Sequence, residues 1–167
     1  IVENPVLNCP DGAYGTYTSP GNTQLEVMGL PEGIVLSSGS VLDVENPETF
    51  FASTINGVPG DPDLDVLSPI ATQDACVFEF DVYAATDELE FNYVFGSEEY
   101  PNFVGGNFND IFAFFISGPG IAPNTNIAVL GDGTTPVSIN TVNDGIGGVG
   151  GPIDPTTGEV IYVNNAG

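Results

Sequence analysis

Glu98, Glu99, Asn102, Asn107, Asn109 and Asp110 crowd one short stretch of the sequence. Carboxylates and amides at this density supply hard oxygen ligands, of which calcium takes roughly six to eight. A second group, Asp61-Pro62-Asp63-Leu64-Asp65, has the D-x-D-x-D opening of an EF-hand loop. Its sixth position is Val66, where the sharp turn needs Gly. Its twelfth is Thr72, where a bidentate Glu belongs. The run is no EF-hand, yet carboxylates at alternate positions of a loop can face one cation. Together with Asp74, the candidate metal ligands are Asp61, Asp63, Asp65, Asp74, Glu98, Glu99, Asn109 and Asp110, and Ca2+ is the expected cofactor. The competing reading is ordinary solvation, the usual state of surface carboxylates.

Paired carboxylates also hydrolyse glycosides, where two carboxyls flank the scissile bond roughly 5 to 9 Å apart. Glu98 and Glu99 are adjacent, and neighbours on an extended chain point opposite ways. Glu98 with Asp110 is the better-spaced pair. With no Lys, Arg, His or Trp to grip a sugar, hydrolysis ranks third among the functions considered, and no catalytic residue is assigned. Gly145-Ile146-Gly147-Gly148-Val149-Gly150 matches the dinucleotide fingerprint by letter. Pro152 and Asp154-Pro155 follow instead of a helix, so no helix N-terminus is there to hold a phosphate.

Charge narrows the field further. The 167-residue chain has no Lys, Arg or His against 23 Asp and Glu, a formal net charge of −23. Nucleic-acid binding needs cations to displace counterions. Anionic membranes repel such a chain. A phosphate-binding loop needs its Lys, and Ser-His-Asp or Cys-His catalysis needs an imidazole. No side-chain salt bridge is available, so the carboxylates must be solvated, protonated or neutralised by bound cations, and repulsion opposes compaction.

The elements that would position these side chains are strands. Hydrophobic residues make up 41% of the chain, enough for a core, while 22 Gly and 14 Pro punctuate it every few residues. Cys76-Val77-Phe78-Glu79-Phe80-Asp81-Val82 alternates strictly, and so does Leu89 to Phe95. Two half-buried strands joined by a short polar link predict a hairpin. Ile111-Phe112-Ala113-Phe114-Phe115-Ile116 is apolar on both faces and reads as an interior strand. Shorter strands are expected at Ile1–Leu7, Leu25–Met28, Gly33–Ser37, Ile127–Leu130, Val137–Asn140 and Val160–Val163. Residues 43 to 70 read as mostly loop, with Phe50 and Phe51 anchoring it. The expected fold is all-β, a sandwich or jelly roll of roughly eight to ten short strands with little or no helix. Residues 1–24 would form an N-terminal arm or edge strand, and 25–167 a single β-sandwich domain.

Cys9 and Cys76 are the only cysteines. Without zinc-type spacing, a disulfide closing a long loop is the simplest account, contributing about 4 kcal/mol. Two separate buried thiols are the alternative. A disulfide implies export, and with no signal peptide or transmembrane run visible, a processed extracellular or cell-surface chain is expected.

Several segments, taken in order, resemble a known family. They are Gly33-Ile-Val-Leu-Ser-Ser-Gly39, Gly60-Asp-Pro-Asp-Leu-Asp65, Asp74-Ala75, Val77-Phe-Glu-Phe-Asp81, Phe91-Asn-Tyr-Val-Phe-Gly-Ser-Glu-Glu-Tyr100 and Phe108-Asn-Asp-Ile-Phe-Ala-Phe-Phe-Ile-Ser-Gly-Pro-Gly120. Over roughly residues 25 to 142 the chain resembles the choice-of-anchor L domains of bacterial surface and secreted proteins. The resemblance implies an exported β-rich domain in adhesin-like proteins, with no enzymatic activity and no ligand residues to carry over. It also implies further strands beyond Val163, so the chain is expected to be cleaved or to be completed by another chain.

The leading expectation is a non-enzymatic structural or adhesive extracellular subunit, stabilised by calcium. It would assemble through strand edges as a homo-oligomer, polymer or filament, and would meet a glycan or surface-protein partner, without nucleic acid and without membrane insertion. The alternative is a lectin-like carbohydrate-binding module using Tyr100, Phe103 and Phe108.

Overall fold

A computed structural model describes residues 1–18, 30–45, 54–99 and 103–142. The strands expected at Leu25–Met28 and Val160–Val163, the boundary expected at residue 24, Phe50 and Phe51, and the glycine-rich run from 143 to 158 lie outside them. The fold is all-β with little helix: eight strands and two short α-helices are described. The chain forms two compact units, Ile1–Gly60 with Gln73–Val94, and Asp61–Thr72 with Phe95–Gly167. Among the described residues no helix is long and apolar enough to cross a membrane.

The first unit holds β1 (Val2–Asn8), β2 (Tyr14–Thr18), β3 (Glu32–Leu36) and β4 (Val77–Val82). β2 and β3 pair antiparallel from Tyr14 opposite Leu36 to Thr18 opposite Glu32. A 3-10 turn over Val41–Glu45 follows. β1 pairs antiparallel with β4, Val2 opposite Val82 and Asn8 opposite Val77.

That second pairing corrects the predicted hairpin. β4 does not pair with Leu89–Phe95, which forms no strand. The disulfide gives the reason. Cys9 follows β1 directly, Cys76 precedes β4 directly, and the two are bonded. The bridge holds two strand ends together across 67 positions of sequence. It thereby lowers the entropic cost of a distant partner. Period two reports a half-buried extended chain and leaves the identity of its partner open.

β1 carries the features that keep an edge strand from recruiting another chain. Pro5 has no N–H to offer. The register shifts between Glu3 and Val6, and Asn4 sits at φ +50°. Glu3 lies opposite Asp81, an unfavourable like-charge pair. Asn4 relieves it by donating from Nδ2 to an Asp81 carboxylate oxygen at 2.7 Å.

The second unit holds α1 (Pro62–Leu67), β5 (Ile111–Phe112), β6 (Phe115–Gly118), β7 (Ile121–Asn126), β8 (Val137–Ser138) and α2 (Ile139–Val142). β5 pairs with β8 and β6 with β7, both antiparallel. Pro119-Gly120 makes the β6–β7 turn, with Gly120 at φ +82° as the third position of a type II turn requires. The buried side chains here are Ala128, Val137, Ser138, Ile139 and Val142.

The single interior strand predicted over Ile111–Ile116 is divided at Ala113-Phe114, and its halves join different ladders. Asn126 manages the change. Its Oδ1 accepts from the N–H groups of Phe114 at 3.1 Å and Ala128 at 3.0 Å. Of the strand predicted at Ile127–Leu130, an isolated antiparallel bridge from Val129 to Pro136 is present, and the regular strand precedes it at Ile121–Asn126. The one at Val137–Asn140 ends after Ser138, where α2 begins.

Candidate functional site

Asp61 is the N-cap of α1. Its Oδ1 accepts from Asp63 N at 2.8 Å and Leu64 N at 3.3 Å. Asp-Pro at Ncap and N1 is a helix-start signal, and it accounts for a helix within a stretch predicted as loop. Asp63 accepts from Asn124 Nδ2 at 2.9 Å. Asp65 accepts from Thr72 N at 2.6 Å and Thr72 Oγ1 at 2.7 Å. These bonds hold the Asp65 carboxyl below its ordinary value of 3.8. The three carboxylates of the D-x-D-x-D run therefore each hold a different piece of local structure.

Asp74 does the same in the first unit. It sits at φ +53°, where Asp is one of the few tolerated side chains. It accepts from Val58 N at 2.8 Å and Asn56 N at 3.3 Å. Asn56 donates from Nδ2 to the carbonyls of Ser38 and Gly39, which extends the clamp.

A further polar corner is formed by residues 97–99 and 103–110. Ser97 Oγ donates to Asp110 Oδ2 at 2.8 Å and accepts from Glu99 N at 3.2 Å. Desolvation raises the Glu99 carboxyl above its ordinary value of 4.5, and the neighbouring charges of Asp110 and Glu98 raise it further. Asn109 Oδ1 accepts from Asn140 N at 2.9 Å, and Asp110 O accepts from Ile139 N at 3.1 Å. The corner is thus fastened to the start of α2, next to the buried Val137, Ser138 and Ile139. From the same root, Asn140 holds the glycine loop above it. Its Oδ1 accepts from Gly105 N, and its Nδ2 donates to Gly106 O.

Glu98, Glu99, Asn109 and Asp110 are brought together in this corner. Asp61, Asp63 and Asp65 share the segment around α1, and Asp74 belongs to the other unit. Among the described residues, no three acidic or cysteine side chains are grouped so as to hold a metal ion. Asn102 and Tyr100 lie outside the described residues.

Sequence reasoning missed Asn140, Asn124 and Asn126, whose amides do the bracing. It also missed Asp132. That side chain accepts from Thr134 N and from Thr135 N and Oγ1, bonds that lower its carboxyl from 3.8 to about 2. The Asp132-Gly133-Thr134-Thr135 spacing was the available signal, an Asp preceding Thr in a turn. Nothing in the sequence marked Asn140, because its partners lie more than thirty positions away.

The fold and its polar side chains define an all-β, disulfide-closed domain in which carboxylates and amides hold loops in place. The chain belongs to the Choice-of-anchor L domain family, which matches residues 2–165. The match takes in β1 and Cys9, beyond the span of the resemblance seen in the sequence. Membership makes this a surface-associated domain of a non-catalytic class. No curated protein and no solved structure matches the chain.

Proposed function

We propose that this chain is a non-enzymatic structural or adhesive domain at the cell surface, with its charge eased by calcium from the medium. One observation carries this reading. The carboxylates with the best-defined partners, Asp61, Asp63, Asp65, Asp74, Asp110 and Asp132, accept from backbone N–H groups, hydroxyls or amides. They build loops, while the net charge of −23 stays uncompensated. Divalent cations are the natural relief for such a surface, and the corner at Glu98, Glu99 and Asp110 is where repulsion is most concentrated. The guarded edge of β1 favours loop-borne contacts with other chains over the strand-edge assembly expected from the sequence.

The test is thermal unfolding in calcium, in EDTA and in sodium chloride of equal ionic strength, together with sizing by light scattering. The expected result is a higher Tm in calcium than in matched sodium chloride. A Tm unchanged by calcium removes the cation from the reading, and self-association seen by light scattering would restore the strand-edge assembly expected from the sequence. Turnover of any member of a panel of chromogenic glycosides overturns its non-enzymatic part.

A further inference from the structure

Within the acidic corner, the loop from Phe103 to Phe108 presents two phenyl rings to solvent. Phe103 is 37% exposed and Phe108 59%. Their centroids are 5.3 Å apart and the ring planes meet at 74°. A T-shaped pair has an open ring face beside a ring edge, so it forms a notch and not a flat platform. The loop is held in this shape. Gly106 N donates to Phe103 O at 2.9 Å, and Phe103 N donates to Glu99 O at 3.0 Å. A Cβ at Gly106 would come within 2.9 Å of Phe103 O, so only glycine permits this close turn. Asn140 ties the loop to the buried root of α2. Two exposed apolar rings, ordered in advance on a rigid base, have the character of an interface anchor.

Charge identifies the occupant. Asp110 is two residues from Phe108, and Glu99 bonds Phe103 through the backbone. Glu98 and Asp110 both act on the Glu99 carboxyl. The rings therefore belong to a loop flanked on both sides by carboxylate residues, in a chain with no Lys, Arg or His. A second copy would bring another −23 charge and be repelled. A pyranose prefers a broad face to the notch of a T-shaped pair. A Lys or Arg side chain meets both features: its stem lies on a ring face, its cation attracts the ring quadrupole, and the carboxylate residues that flank the loop favour its charge.

We propose that the Phe103–Phe108 corner docks a Lys- or Arg-bearing segment of another protein. The proposal rests on the adhesive reading above and names its partner class. The test is a 1H–15N NMR titration of the intact chain at physiological ionic strength, with tetra-arginine amide and maltotetraose as separate probes. Tetra-arginine should shift amides concentrated at residues 103 to 110. Phe108→Ala, which leaves the charge unchanged at an exposed position, should weaken its Kd about fivefold, the value of one exposed cation–π contact. Phe103→Ala should weaken it similarly, with amides outside the loop unmoved. Shifts spread evenly over the acidic surface, with equal affinity in Phe108→Ala, overturn the proposal. So do shifts at 103 to 110 by maltotetraose and not by tetra-arginine. Failure of the adhesive reading would appear separately, as a missing calcium response or as glycoside turnover, whatever these titrations show.

Discussion

Replacing both cysteines with alanine tests what selects the pairing of β1 with β4. The bridge joins residues 67 positions apart. Closing a loop of that length removes about 15 cal/mol/K from the unfolded chain, or about 4 kcal/mol at room temperature. That is a large share of the roughly 5 to 15 kcal/mol that usually holds a domain folded. C9A/C76A should therefore unfold at much lower urea. The chain has no Trp, so the transition is followed by far-ultraviolet circular dichroism and tyrosine fluorescence. The extrapolated free energy should fall by about 4 kcal/mol. Hydrogen exchange supplies the structural half: amides of Val2–Asn8 and Val77–Val82 should lose protection while those of Tyr14–Thr18 and Glu32–Leu36 keep theirs. A loss below about 1 kcal/mol, or undiminished protection in β1 and β4, would refute the reasoning and assign the pairing to the strands themselves.

Asp74→Ala leaves the N–H groups of Asn56 and Val58 without their acceptor. It should cost about 2 kcal/mol in urea unfolding, and Asp74→Asn, which keeps an acceptor and tolerates φ +53°, should recover part of it. Two carboxylates should act on stability with opposite sign as pH changes. Glu99 binds its proton more tightly when folded, so its contribution is fully present below 4.5 and is lost as pH rises through its raised folded value. Glu99→Gln should accordingly raise Tm at neutral pH and flatten that fall. Asp132 does the reverse: its contribution is present above 3.8 and is lost as pH falls toward about 2. Asp132→Asn should make the acid limb of a Tm-versus-pH curve less steep.

Much of the local structure was legible in the sequence, and most of the long-range structure was not. Alternation at Val77–Val82 and the β-branched run near Ile34 and Val35 announced β4 and β3, because one buried face imposes period two. The absence of other cysteines left the bond between Cys9 and Cys76 as the simplest account. Leu89–Phe95 alternates as clearly as β4 yet forms no strand, since the disulfide favours a partner far away. The division of Ile111–Ile116 was hidden for a similar reason. It depends on Asn126, whose amide meets Phe114 only once β7 has folded back. In the candidate site, the Glu98–Asp110 cluster stood out by composition. Its fastening by Asn140 did not, because a lone amide carries no pattern.

The lack of basic residues costs this fold less than it first suggests. A surface ion pair contributes little to stability, and less still in salt. The short-range work of a cation, offering N–H or O–H to a carboxylate, can be done by neutral donors. Here Asn4 serves Asp81, Thr54 serves Asp43, Thr72 serves Asp65, Ser97 serves Asp110, Asn124 serves Asp63 and Thr135 serves Asp132. These bonds act at contact distance, where screening hardly reaches. What neutral donors cannot supply is long-range cancellation of the net charge. That repulsion is the part of the electrostatics that dissolved salt and divalent ions screen best. A chain built this way delegates its charge balance to the surrounding medium, which suits a domain held at the cell surface.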